Sequence, residues 1–371
     1  MSSQGRSHKK NKYLGSLIVN GVLVLICLIW LIPTIGVLIT SFRDSREIFT
    51  SGWWTVFPHR GWVQVGDPIP VDPDIDVDKP FTVAGVTSTF DVLRRGVETE
   101  DGRKVTWIGN KRSPRIVIIE EQRWKGFSTS LTLENYSDTL SGKEISFIDG
   151  AGNEIIRQGN NLGGAFLNSI AVAVPSTIIP ILIAAFAAYG FAWMNFPGRK
   201  FFFTIVVALI VVPLQLALVP ILRDYTQLNL NGTYLAMWLA HTGFGLPLAV
   251  YLLFNYIGTL PRDILESAFI DGASHFTIFQ RLILPLSVPA LASFAIFQFL
   301  WVWNDYLVAL VFLGDRNQVV TSALASMVGE KGQDWHLLTS GAFVSMILPL
   351  AVFFLLQRYF VRGLMAGSIK G

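Results

Sequence analysis

The chain has 371 residues, of which 51% are hydrophobic and only 15% charged, and its formal net charge is +3. Soluble domains carry about 25% charge, so this balance excludes disorder, a basic nucleic-acid binder and a single water-soluble globule. One cysteine, Cys27, excludes an intrachain disulfide and a cysteine-cluster metal centre, leaving a polytopic membrane protein.

The first element is the uncharged run Tyr13–Phe42. It is too long for a signal-peptide core of about 7–15 residues and predicts a retained membrane anchor. Further spans are predicted near Leu162–Trp193, over Phe201–Leu222, near Tyr234–Tyr256, over Leu282–Asn304 and near Trp335–Leu356. Each meets the roughly 20 residues that a helix needs to cross the hydrocarbon. Pro33, Pro175, Pro180, Pro213 and Pro247 predict bends rather than failure to span.

Lysine and arginine set the orientation. With the amino terminus inside, the cytoplasmic side collects Arg6, Lys9, Lys10, Lys12, Arg199, Lys200, Arg262, Arg281, Arg358, Arg362 and Lys370. Its acids are Asp263, Glu266 and Asp271, and the short external loops hold only Arg223, Arg316 and Lys331 as basic residues. Both termini are therefore expected in the cytoplasm.

Between the first two spans lies an extracytoplasmic insert, residues 43–160, with 15 basic and 18 acidic residues. Turn signals at Asp101-Gly102, Gly109-Asn110, Ser141-Gly142 and Asp149-Gly150 separate β-rich pieces. These pieces are Lys104–Ile108, Arg115–Glu121, Lys143–Ile148 and Glu154–Arg157, which predicts a small mainly-β domain of hairpins. The Pro, Gly and Asp content of Gly52–Pro80 predicts loop. Asp72, Asp74, Asp76 and Asp78 alternate, a pattern of oxygen ligands that suits Ca²⁺. Without the glycine turn and terminal glutamate of a calcium loop, the run reads as a solvated acidic segment, and no metal site is expected.

The most informative stretch is the cytoplasmic loop at 258–286. Pro261 and Arg262 open a helix, with Asp263 and Glu266 in its first turns, where acids suit the dipole. Gly272 breaks it, and a second helix over Ser274–Leu284 presents Phe276, Phe279 and Ile283 at spacings of three and four. Such an amphipathic pair either lies in the bilayer interface or fills a groove on a partner protein.

Glu266-Ser267-Ala268, Asp271-Gly272 and Ile283-Leu284-Pro285 together resemble the EAA loop of permease subunits in binding-protein-dependent ABC importers. Ser267 stands where alanine is usual. Asn168-Ser169, Tyr189, Phe196-Pro-Gly-Arg199, Trp303-Asn-Asp305 and the ending Gln357–Gly371 extend the likeness to the maltose-type carbohydrate permeases. The long insert is similar to that of the alpha-glucoside permease branch.

The resemblance implies an all-α polytopic membrane protein: a six-helix type I ABC importer permease with a small mainly-β extracytoplasmic insert. Its parts would be 1–42, with the first span; the insert 43–160; and the permease core 161–371, with the coupling loop 258–286 and a cytoplasmic tail 358–371. It implies half of the translocation pathway for an oligosaccharide, such as maltose, trehalose or sucrose. A polyol, a sugar phosphate or another small solute is the alternative cargo, and a membrane-anchored sensor or binding protein the alternative class. Glu266, Ala268, Asp271, Gly272, Phe276, Phe279 and Pro285 would couple the permease to an ATPase, with Gly367 and Lys370 of the tail reaching it too.

Asn168, Trp238, Trp301, Asn304 and Asp305 are candidate pathway residues, although tryptophan gathers at membrane interfaces for its own reasons. The chain has no G-x-x-x-x-G-K-[ST] sequence, so ATP and Mg²⁺ are expected on partner subunits and catalysis is not expected here. The implied partners are a second permease, two ATP-binding subunits, an extracytoplasmic sugar-binding protein and membrane lipid, with no nucleic acid. The implied location is a prokaryotic inner membrane.

Overall fold

The computed structural model describes residues 4–112, 114–128, 130–142, 145–148, 154–157, 159, 161–314, 316–329 and 335–366. They divide into two compact units. One joins Met1–Ile39 to Arg43–Thr132; the other joins Thr40–Phe42 to Leu133–Gly371.

The helix Gln4–Ser41, assigned to the first unit as far as Ile39, carries the apolar run Gly15–Ser41. A β-sheet of antiparallel strands comes next. His59–Gln64 pairs with Arg115–Lys125, which pairs with Arg103–Gly109, which pairs with Val97–Glu98. Ile69–Pro70 also pairs with Arg115–Lys125. Alternation turns Val105 and Trp107 inward, opposite Ile119 and Val117. Trp107 meets Phe81 and Phe90 edge-on, with centroids 5.9 and 5.4 Å away, in a core that includes Val71, Leu93 and Val117.

The stretch Gly52–Pro80, expected as loop, therefore holds strand residues. His59–Gln64 is an edge strand with Gly61 inside it, and such a strand takes its pairing from a neighbour rather than from its own pattern. The acidic run is tied down locally: Asp72 and Asp76 accept the backbone N–H groups of Asp74 and Asp78. Lys79 hydrogen-bonds Asp76 and holds its carboxyl below the usual range, while Asp78 binds Lys111 and raises the lysine.

The second unit is helical. Leu162–Trp193 packs on Tyr234–Ile257 and on Val288–Trp303, and the latter packs on Trp335–Ala366. Ala184, Ala185, Ala188 and Ala249 are fully buried, and these small side chains let the helices approach closely. Asn161 caps the first of these helices by accepting from Gly164 N–H at 2.8 Å.

Among the described residues, four helices are long and apolar enough to span, and two bent pairs raise the number to six. The third predicted span is Arg199–Leu209 plus Leu214–Gln227, bent by 99°; the fifth is His275–Leu286 plus Val288–Trp303, bent by 72°. Pro213 caps the second piece of the former, and Pro289 opens the second piece of the latter. Val288–Trp303 extends about 24 Å, short of a hydrocarbon core of about 30 Å.

Two elements depart from expectation. The helix Glu134–Ser141 lies within residues 43–160 yet belongs to the helical unit: Thr139 Oγ1 meets Ser340 Oγ at 2.8 Å, and Asn135 donates to the Ser41 carbonyl at 2.9 Å. The stretch after Asp305 is no simple external loop. Leu307–Phe312 and Val320–Gly329 fold back, burying Val308, Phe312 and Val320.

Candidate functional site

Pro261 supplies a fixed φ of −60° at the start of the helix Arg262–Ile270. The helix stops at Gly272, whose φ is +76°. Gly272 N–H donates to Phe269 O and Ala273 N–H to Ala268 O, each at 3.0 Å. This pair of bonds is the Schellman stop, which requires a left-handed residue where Gly272 stands. Ser274 then caps the next helix, His275–Ile278, by accepting from Thr277 N–H at 3.2 Å. The turn continues through a π segment, Phe279–Ile283, into Leu284–Leu286.

The inner side of this elbow is packed. Leu265, Ile278, Phe279 and Ile283 are buried in one cluster with Ala184, Ala188, Tyr189, Leu253 and Ile257. Phe279 meets Phe186 edge-on with centroids 5.2 Å apart, and lies 5.9 Å from the Tyr189 ring. The Tyr189 hydroxyl bonds His275 Nδ1 at 2.9 Å. The outer side is apolar and bare: Ile270 is 86% exposed and Phe276 64%, with Ile264 and Phe269 beside them.

The predicted coupling residues therefore separate. Glu266, Asp271, Gly272, Phe276 and Pro285 are exposed and Ala268 is half-buried. Phe279, predicted to face a partner with Phe276, points into its own chain. Phe279 opens the π segment, which admits one extra residue per turn and rotates only the residues after it. Ile270 is absent from the predicted set; its position at the helix end, beside a left-handed turn, is the signal that reveals it. Gly367 and Lys370 lie outside the described residues.

The candidate pathway residues form joints. Asn168 donates to Gln318 O at 2.9 Å and accepts from the Tyr234 hydroxyl at 2.7 Å. Trp238 donates to Ala171 O at 2.9 Å, and Asn304 is exposed and bonds within its own helix. Asp305 Oδ2 lies 2.9 Å from Nε2 of the fully buried His241, while its Oδ1 caps Val308 N–H at 3.0 Å. Trp301 stands edge-on to His241 at 5.2 Å. His241 Nδ1 faces the Met237 carbonyl at 3.1 Å. His241 is not among the predicted pathway residues; it lies 64 residues from Asp305, and only folding brings the two together.

The family described as binding-protein-dependent transport system inner membrane component matches residues 164–365. The osmoprotective compounds uptake permease protein GgtD of Synechocystis sp. is 44% identical over 98% of this chain and 95% of that protein. The alpha-glucoside transport system permease protein AglG of Rhizobium meliloti is 45% identical over 94% of this chain and 95% of that protein. Both alignments run too long to leave out residues 43–160. The melibiose/raffinose/stachyose import permease protein MelC of Bacillus subtilis is 31% identical over 57% of this chain and 77% of that protein.

Proposed function

The chain belongs to the binding-protein-dependent transport system inner membrane components, and from that membership we propose that it carries an alpha-glucoside through its half of an ABC importer. The likeness to AglG supports the sugar class. The observation that carries the coupling role is the two-sided elbow, with a bare apolar tip at Ile270 and Phe276 on a base packed against Tyr189 and Ile257.

On this reading, the tip fills a groove on a partner ATP-binding subunit, which holds ATP and Mg²⁺. Glu266 and Asp271 border the contact. Closure of the partner pushes the tip, and the close-packed base cannot absorb the displacement. The motion passes through Phe279 and Tyr189 to the helix Leu162–Trp193, and through Ile283 to Val288–Trp303. A two-state pore responds to a stroke delivered in this way. The remaining partners are a second permease and an extracytoplasmic binding protein, both termini face the cytoplasm, and Gly367 and Lys370 add a tail contact. Of the 43–160 insert, Arg43–Thr132 is the extracytoplasmic sheet module, while the helix Glu134–Ser141 packs with the permease core.

Purified complex in proteoliposomes, supplied with its binding protein and a disaccharide panel, tests this. Maltose, trehalose or sucrose is expected to stimulate ATP hydrolysis, and stimulation by none of them removes the alpha-glucoside reading. The name of GgtD favours one second reading, a small osmoprotective solute, which the same panel distinguishes when polyols are added.

A further inference from the structure

We propose that the sheet domain Arg43–Thr132 is anchored on the lipid interface by an aromatic end formed by Trp53, Trp54, Phe57, Trp124 and Phe127. The chain enters this domain from the spanning helix at Arg43. It comes back to the same end, where Leu131 bridges to Arg43 and Ser128 N–H donates to Val56 O at 2.9 Å. The end nearest the membrane is thereby identified by connectivity.

The aromatic residues gather there. Trp53 meets Trp54 and Phe57 edge-on at 6.2 and 6.5 Å, and Phe57 meets Phe127 at 6.4 Å. Trp54 is 60% exposed, Phe127 69% and Trp124 70%. Arg60 lies over the Trp124 ring at 5.9 Å. At the other end of the strand Arg115–Lys125, no exposed ring cluster is present among the described residues: Arg115 binds the carbonyls of Pro73 and Ile75, and Lys111 pairs with Asp78. The exposed rings thus gather at the entry end, interleaved there with the exposed side chains of Arg60, Arg123 and Lys125.

Depth comes from Gly36. A Cβ there would come within 2.9 Å of Trp53 Nε1, so the indole rests directly on the spanning helix. Gly36 lies five residues before the helix end at Ser41, about 7 Å along the axis. That depth is close to the roughly 5–7 Å thickness of the interfacial layer, which puts Trp53 at the boundary between that layer and the hydrocarbon when the helix end marks the membrane surface. Tryptophan is favoured at that level because its ring is apolar and its N–H is wet. The exposed rings around Trp53 continue the membrane contact that the helix begins, so the occupant we assign is lipid rather than protein.

The lone cysteine permits a direct test in the full importer complex in lipid nanodiscs. In a Cys27→Ser background, Trp54→Cys, Phe57→Cys, Phe127→Cys and the remote Asp74→Cys each receive a nitroxide. The first three are expected to show a severalfold higher ratio of oxygen to nickel-chelate accessibility than the label at residue 74. A ratio equal to that at residue 74 places the end in water, and low access to both reagents places it under a protein partner; either result overturns the proposal. As a label-free arm, Trp54→Phe is expected to lower the fluorescence quenched by brominated lipid, and unchanged quenching contradicts it.

Discussion

The Tyr189 hydroxyl lies 2.9 Å from His275 Nδ1, joining the end of one spanning helix to the first residue of the helix after the Gly272 turn. Tyr189 is fully buried while His275 is exposed, so the bond crosses from the packed base of the elbow to its open side. Such a bond contributes about 1 kcal/mol. Tyr189→Phe keeps the ring contacts with Phe279 and removes only this tie. Sugar-stimulated ATP hydrolysis is expected to fall several-fold with assembly unchanged. His275→Ala should lose at least as much, since it also gives up a ring contact with Phe269 at 5.0 Å, and the double variant should lose no more than His275→Ala.

Gly272 stands in open space: a Cβ at this position would have no neighbour within 4 Å, so substitution costs backbone energy rather than a clash. A left-handed conformation costs most residues about 1–2 kcal/mol, and asparagine less. Retention of the ATP-binding subunit during purification is expected to rank Gly above Asn, Asn above Ala and Ala above Val. Equal retention by all four would remove the turn from the docking account.

The two phenylalanines of the elbow should respond in opposite ways. Phe276→Asp and Ile270→Asp alter exposed positions and are expected to abolish copurification of the ATPase while the thermal midpoint of the permease stays put. Phe279→Ala opens a cavity in the base and is expected to cost about 3–5 kcal/mol of stability. Thermal unfolding in detergent, run beside the copurification assay, separates these outcomes.

His241 is fully buried against Asp305, and leaving such a buried group without its hydrogen-bond partner costs about 1–3 kcal/mol. Asp305→Ala loses both the contact with His241 and the cap on Val308, whereas Asp305→Asn keeps the cap. The thermal midpoint is expected to fall for both variants, and further for the alanine. An unchanged midpoint combined with loss of transport would instead make Asp305 a pathway residue.

The spans at Leu162–Trp193 and Tyr234–Ile257 are legible in the sequence because an uncharged run of that length has few other homes. The third and fifth are legible as apolar mass but not as direction: composition registers Pro213 and Pro289 as breaks, while the bends of 99° and 72° are not encoded in composition. The stop at Gly272 is readable because only glycine tolerates that φ cheaply. The inward turn of Phe279 is not, since a spacing of three from Phe276 does not say which ring packs on Phe186 and Tyr189. Neither is the strand His59–Gln64, whose partner lies some sixty residues onward at Arg115–Lys125.

The most direct measurement is ATP hydrolysis by the reconstituted complex, with and without binding protein loaded with an alpha-glucoside, for the unaltered chain and for Tyr189→Phe. The account predicts strong stimulation in the first and a several-fold weaker response in the second, at equal subunit stoichiometry. Full stimulation in both would contradict transmission of the stroke through this elbow.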